Sequence, residues 1–214
     1  MTKPKAVIFD LGKVLLDFDY RIAGRRLAAR SNLAAQDFTD ALLRPDLLLH
    51  YETGLLSNGE FFQALCQKTG YRGDFDEFVL GFGDIFTPID RMIALQLELR
   101  RKGYSTFIFS NTNELAVNHI RRAYPFFGNF NGYIFSFEHR CMKPNAGLYA
   151  IVEKISGCSG PELLYLDDRL ENVQAAEVRG WQIILHETPE KTLARMRALG
   201  MLEQHRPTPE SSTN

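Results

Sequence analysis

Five short runs of Val, Ile, Leu, Phe and Tyr punctuate the chain, at about 6–10, 104–109, 132–136, 163–167 and 181–185. Runs this short and this apolar, separated by helix-length segments, predict strands buried on both faces of a parallel sheet. Thr87-Pro88-Ile89-Asp90 has the form of a helix start, with a capping Thr, Pro at the first helical position and an acid in the first turn. That helix carries Ile89, Met92, Ile93 and Leu97 on its apolar face and stops at Arg100, Arg101, Lys102 and Gly103. Similar punctuation predicts helices at about 113–123, 145–155, 169–179 and 189–199. The alternation of strand and helix predicts an α/β fold, a doubly wound Rossmann-like parallel sheet.

Residues 17–87 break the rhythm, with successive helical patterns and no strand pattern. Ser57-Asn58-Gly59-Glu60 is a capping box, and Gly70 marks the end of the helix it starts. The aromatic residues here, among them Phe38, Tyr51, Phe61, Phe62, Phe75, Phe78, Phe82 and Phe86, are expected to pack the segment against itself. The expected organisation is an α/β core of 1–16 and 88–202, a helical cap of 17–87, and a flexible polar tail of 203–214 rich in Pro, Ser and Thr.

Chemistry enters at the ends of the strands. The runs are followed by Asp10, by Ser110, by Lys143 a few residues beyond the third, and by the pair Asp167 and Asp168. In an open α/β sheet such positions meet in a crevice at the carboxyl ends of the strands. Alone, Ser110 reads equally as a turn residue, Lys143 as a solvated charge, and Asp167 and Asp168 as caps of the following helix. Convergence of all four on one point favours a site. A net charge of -1 on 214 residues offers no basic surface, so neither nucleic acid nor a membrane is an expected partner. The three cysteines, Cys66, Cys141 and Cys158, are odd in number and widely spaced, which fits reduced thiols in a cytoplasmic protein. The first apolar run ends at Asp10, too soon for a signal-peptide core or a membrane span.

The segments VIFDLGKVLL, FIFSNTN, CMKP and LYLDDRLENVQAA resemble, in order and spacing, the four motifs of haloacid dehalogenase-like hydrolases. The interval of 100 residues from Asp10 to Ser110 is similar to that of members with a helical cap after the first strand. The combination most resembles phosphatases of the glucose-1-phosphate phosphatase type. The resemblance implies a phosphatase that forms an aspartyl-phosphate on Asp10, with Mg²⁺ held by Asp10, Asp168 and the carbonyl of Gly12. Ser110 and Lys143 are then catalytic, and Leu11, Gly12, Ser110, Asn111 and Lys143 bind substrate. Asp167 supports the metal's water shell, and Asn172 orients the loop. The implied substrate is a small phosphorylated metabolite, a sugar phosphate in the first instance, acted on by a monomer or homodimer. Residues of the cap near the crevice, such as Asp17, Asp19, Tyr20, Arg44, His50 or Tyr51, would select it.

One departure stands out. Most phosphatases of this family carry a second aspartate two residues after the nucleophile as general acid and base, and here that position is Gly12. The loss argues against a mutase and favours a good leaving group or a proton from elsewhere. Two alternatives stay open: a metal-independent 2-haloacid dehalogenase, in which Asp168 would be superfluous, and a noncatalytic binding module of the same fold.

Overall fold

A computed structural model describes residues 2–203; the expected tail, Glu203 apart, lies outside the described residues. In chain order the elements are β1 (Ala6–Phe9), β2 (Leu16–Phe18), α1 (Tyr20–Ala28), α2 (Ala35–Leu42), α3 (Pro45–Glu52), α4 (Asn58–Thr69), α5 (Phe75–Gly83), β3 (Phe86–Pro88) and α6 (Asp90–Arg101). They continue with β4 (Ser105–Ser110), α7 (Glu114–Ala123), β5 (Gly132–Phe135), α8 (Ser136–His139), α9 (Ala146–Ser156), β6 (Leu163–Asp167), α10 (Leu170–Val178), β7 (Gln182–Leu185) and α11 (Pro189–Ala198).

Five strands form one parallel sheet in the order β5-β4-β1-β6-β7, as the apolar runs predict. Side chains alternate across a strand, so each run feeds two cores. Val7, Phe9, Ile108, Leu164 and Leu166 enter one, under α6 and α11. Ala6, Ile8, Phe107, Phe109, Leu163 and Tyr165 enter the other, with Leu148, Val152 and Val173 of α9 and α10. All four residues of β1 are fully buried, which is why its carboxyl end is held so firmly at the centre of the sheet.

Helices α1 to α5 pack around a third cluster, with Phe38, Phe61, Phe78 and Phe82 at its heart. The aromatic residues pack against one another as expected, and truncating one such ring, Phe61→Ala, would cost about 3–5 kcal/mol. The Ser57–Glu60 capping box is formed, and Gly70 ends α4 in the left-handed conformation.

Tertiary pairing overrides the expected start of the helix at Thr87-Pro88. Thr87 pairs with Asp17 and Phe86 with Phe18, in a short antiparallel ladder that joins the two ends of the helical insert. Helix α6 therefore begins at Asp90, with Ile89 at the cap and no side-chain capping bond. The same ladder supplies the strands that the pattern of residues 17–87 did not announce.

Candidate active site

The sheet register brings the site together. Phe9 is level with Ile108 on one side and Leu166 on the other, so Asp10, Phe109 and Asp167 lie abreast at the ends of β1, β4 and β6. The amide of Asp10 continues the ladder by donating to the Leu166 carbonyl at 2.8 Å. Lys143, from the segment after α8, extends its ammonium across all three strands. It donates to the Phe109 carbonyl at 3.0 Å and to Asp167 Oδ2 at 2.6 Å, and it lies 3.0 Å from Asp10 Oδ1. Rings of Phe109 and Tyr165 flank it. Its backbone is fixed by Asn111, whose side chain accepts from the Lys143 N–H at 2.8 Å and donates to the Lys143 carbonyl at 3.1 Å.

Both oxygens of Asp167 are committed to the protein. Oδ1 accepts from the Arg169 amide at 2.8 Å and from Asn172 Nδ2 at 3.0 Å, while Oδ2 accepts from Lys143 and from the Tyr165 hydroxyl. Tyr149 in turn donates to the Asn172 carbonyl. Burial works against ionisation of Asp167, but Lys143 and these hydrogen bonds outweigh it and hold its carboxyl below the ordinary range. Burial raises the Asp10 carboxyl to about 7; Lys143 opposes that rise and Asp167 adds to it. The two shifts have opposite signs because one ammonium serves two carboxylates, and Asp167 has the closer bond and the other donors. Burial would lower the Lys143 ammonium, but the two carboxylates overcome this and raise it. Asp168, the most exposed of the three acids, is raised by partial burial and then by Asp167.

Carboxylate oxygens of Asp10, Asp167 and Asp168 lie within 4.8 Å of one another. The donor set suits a hard cation. Because Asp167 is already fully hydrogen-bonded, Asp10 and Asp168 are the side chains free to hold such an ion.

Two small cavities open here. One of about 190 Å³ is lined by Asp10, Gly12, Ser110, Asn111, Lys143, Asp168 and Asn172, with Lys13, Phe18, Glu52, Met142 and Arg169 around them. The other, of about 220 Å³, is lined by Leu11, Gly12, Phe18, Tyr20, Leu48, Glu52, Phe86, Ser110, Asn111, Thr112 and Ala116. A larger cavity of about 680 Å³, between β7 and α11, has Ile183, Leu185 and Lys191 in its wall and is lined by none of these acids.

The structure thus gathers every residue singled out by the motifs, and it revises two local expectations. Asp167 is a buried anchor of Lys143, spent on protein donors, and does not face the cavity as a support for a metal's water would. Asn172 orients Asp167 itself. The Asn111 side chain is spent on Lys143, which leaves its backbone N–H to face a ligand.

Most of the expected cap selectors point elsewhere. Asp17 pairs with Lys13, Asp19 caps α1, and Arg44 pairs with Asp46. His50 is exposed and lines neither cavity. The buried Tyr51 donates to Asn58 Oδ1 at 2.6 Å and accepts from the Leu115 amide. Tyr20 alone of the six lines either of these two cavities.

Phe18 and Glu52 were missed. A Cβ at Gly12 would lie 2.8 Å from Cε1 of Phe18, so this ring occupies the space above the glycine. Glu52, the last residue of α3, lines both cavities, and its carboxyl has no hydrogen-bond partner among the described residues. Burial raises it to about 7, with Arg169 opposing. Its backbone carbonyl accepts from Ser136 Oγ at 2.6 Å, which ties the insert to the core. Tyr165 was legible in principle, since a Tyr inside an apolar strand, two residues before Asp167 and on the same face, needs a partner for its hydroxyl.

Acids and a lysine gathered at the strand ends of an α/β sheet are the arrangement that the family comparison bears on. The chain belongs to the haloacid dehalogenase-like hydrolases, whose family model matches residues 4–180. A relative in Aspergillus oryzae, the sesquiterpene phosphatase astK, is 25% identical over 179 residues, covering 82% of this chain and 86% of that protein. An HAD-family enzyme of Bacteroides thetaiotaomicron, solved with magnesium and inorganic phosphate, superposes with a TM-score of 0.76 at 20% identity, covering 86% of this chain and 96% of that one. The L-2-haloacid dehalogenase of Xanthobacter autotrophicus, with chloropropionic acid covalently bound, gives 0.62 at 18% identity, covering 94% and 85%. At these identities the solved structures establish a shared fold. Among the described residues no helix is long and apolar enough to cross a membrane.

Proposed function

We propose that the protein is a phosphatase that hydrolyses a small phosphate monoester through an aspartyl-phosphate on Asp10. The observation that carries this is the Lys143 ammonium, shared by Asp10 and Asp167 beside the carboxylate of Asp168. A carboxylate cannot approach a phosphate dianion unless positive charge offsets their repulsion. Lys143 provides one such charge. Asp10, Asp168 and the Gly12 carbonyl are the donors that would hold Mg²⁺, which when bound supplies further positive charge and orients the phosphoryl oxygens.

In this scheme an Asp10 oxygen attacks phosphorus, the bond from phosphorus to the alcohol oxygen breaks, and that oxygen takes a proton from Glu52. Water then attacks the phosphoryl group and returns a proton to Glu52, phosphate leaves, and Asp10 is regenerated. Glu52 receives this role because Gly12 has no side chain to offer, and because Glu52 lines both cavities with no hydrogen-bond partner for its carboxyl among the described residues. Ser110 and the Asn111 N–H hydrogen-bond the phosphoryl oxygens. Asn172 and Tyr165 hold Asp167, which holds Lys143.

Residues 17–87 serve as the cap over a core of 1–16 and 88–202, admitting small esters and excluding folded phosphoproteins. The phosphatase activity of the fungal relative and the magnesium and phosphate held by the Bacteroides enzyme support phosphate-ester chemistry. Displacement of halide without a metal would leave Asp168 with nothing to do. The test is phosphate release from a panel of small phosphate esters, sugar phosphates included, by wild type and Asp10→Asn with and without chelator. Turnover that survives either treatment sinks the scheme.

A further inference from the structure

The cavity of about 220 Å³ differs in character from its neighbour, although the two share Gly12, Phe18, Glu52, Ser110 and Asn111. Its remaining wall is built from Leu11, Tyr20, Leu48, Phe86, Thr112 and Ala116. Several polar groups near it are already engaged: the Asn111 side chain holds Lys143, and the Thr112 N–H donates to Ser136 Oγ at 2.9 Å. Beyond the mouth that Ser110 and Glu52 share with the phosphate cavity, the side chains of Tyr20 and Thr112 offer the only hydroxyls among the described residues. Burial pushes the Tyr20 phenol well above its ordinary value, so it stays a neutral hydroxyl.

We propose, on the basis of the phosphatase reading, that this chamber is the leaving-group subsite and that it selects phosphate esters of compact apolar alcohols over sugar phosphates. A hexose 6-phosphate would carry four free hydroxyls into a wall with two, and a buried hydroxyl without a partner is penalised. An alkyl or alkenyl group of similar size loses nothing there and gains by leaving water. Phe18 makes the chamber specific to this chain's architecture. Its ring lies against Gly12 and edge-on to Tyr20, in the space that a side chain at position 12 would need. The ring over the glycine thus continues the apolar wall of the chamber.

The decisive pair of substrates is cyclohexylmethyl phosphate and glucose 6-phosphate. Both are esters of primary alcohols on six-membered rings, so leaving-group reactivity is closely matched and the hydroxyls are the main difference. With the full chain and saturating Mg²⁺, kcat/KM for the cyclohexylmethyl ester is expected to exceed that for the sugar at least tenfold. Leu48→Gln, at a half-buried position, is expected to lower that ratio at least fivefold. Ala116→Leu, which fills the chamber, is expected to shift preference from cyclohexylmethyl to ethyl phosphate. A wild-type ratio at or below one overturns the proposal, as does a ratio unmoved in both variants when each keeps a cooperative thermal melt. Acetyl phosphate separates the two levels of the claim, because its small acyl group makes little demand on the chamber. If it shows no Asp10-dependent turnover, the phosphatase reading itself has failed and the proposal falls with it.

Discussion

The strand-end cluster and the underside of the helical insert face each other across one crevice, and they are built in opposite ways. At the strand ends every buried charge is answered: Lys143 has three oxygen partners, and Asp167 has four donors. On the insert side Phe18, Tyr20 and Leu48 present apolar surface, and Glu52 has no hydrogen-bond partner among the described residues. The contrast follows from what each side has to do. Charge can be held out of water only where rigid strands supply well-placed partners, so fixed chemistry belongs to the sheet. Apart from Glu52, the side chains on the short helices can change their shape and polarity without disturbing the strand-end charges, so the proposed scheme assigns selection to the insert.

If the strand ends carry the reaction, the largest effect should come from Asp10→Asn. We expect phosphate release to fall by about 10³-fold or more, as for removal of a covalent nucleophile, with the melting temperature unchanged or raised because a buried charge is lost. Rapid-quench measurement of covalent phosphate on the two proteins checks it, and labelled phosphate on the variant would break the assignment.

Glu52→Gln comes next and tests the insert side. Its activity is expected to fall by about 10² to 10⁴-fold on alkyl esters and much less on aryl esters, which leave without a proton. Stability should move the other way. The Glu52 carboxyl lies at about 7 in the folded chain against an ordinary 4.5, so the folded state favours the protonated form. Wild-type stability from this group is therefore full below about pH 4.5 and is lost as pH rises towards 7. The glutamine variant lacks that loss, and should be the more stable above pH 7 by about 1–3 kcal/mol. Urea titrations of both proteins at pH 5 and pH 8 measure it; an equal difference at both values counts against the shift.

A smaller effect is expected from Asn172→Ala, which removes two hydrogen bonds to Asp167 at the edge of the phosphate cavity. Outer partners of this kind typically contribute about 10 to 100-fold. The loss should appear in kcat with KM nearly constant, and Asn172→Asp should fail to rescue it, because an added carboxylate repels Asp167.

The smallest change should come from restoring the absent acid. Gly12→Asp alone meets the Phe18 ring at 2.8 Å, so it is expected to lower activity, whereas Gly12→Asp with Phe18→Ala should regain part of it. Comparison of alkyl and aryl esters across the single and double variants checks this, and identical losses in both would remove Phe18 from the explanation.

Asp10, Ser110, Lys143 and Asp168 were legible because each lies at or just beyond an apolar run whose length and spacing determine a strand. The five parallel strands were legible for the same reason. The β2–β3 ladder was not, because Thr87-Pro88 satisfies the local rules for a helix start and is held extended by pairing with residues some seventy positions earlier. The chain taken alone thus determined the sheet, the two faces of each strand and the polar residues at their ends, since these depend on periodicity and on neighbours in sequence. Only the tertiary structure decided that Asn111 and Asn172 are braces, that Phe18 fills the space above Gly12, and that Glu52 comes to the mouth of the crevice. Those outcomes depend on distances between segments far apart in the chain, and no local pattern of apolar and polar residues encodes such a distance.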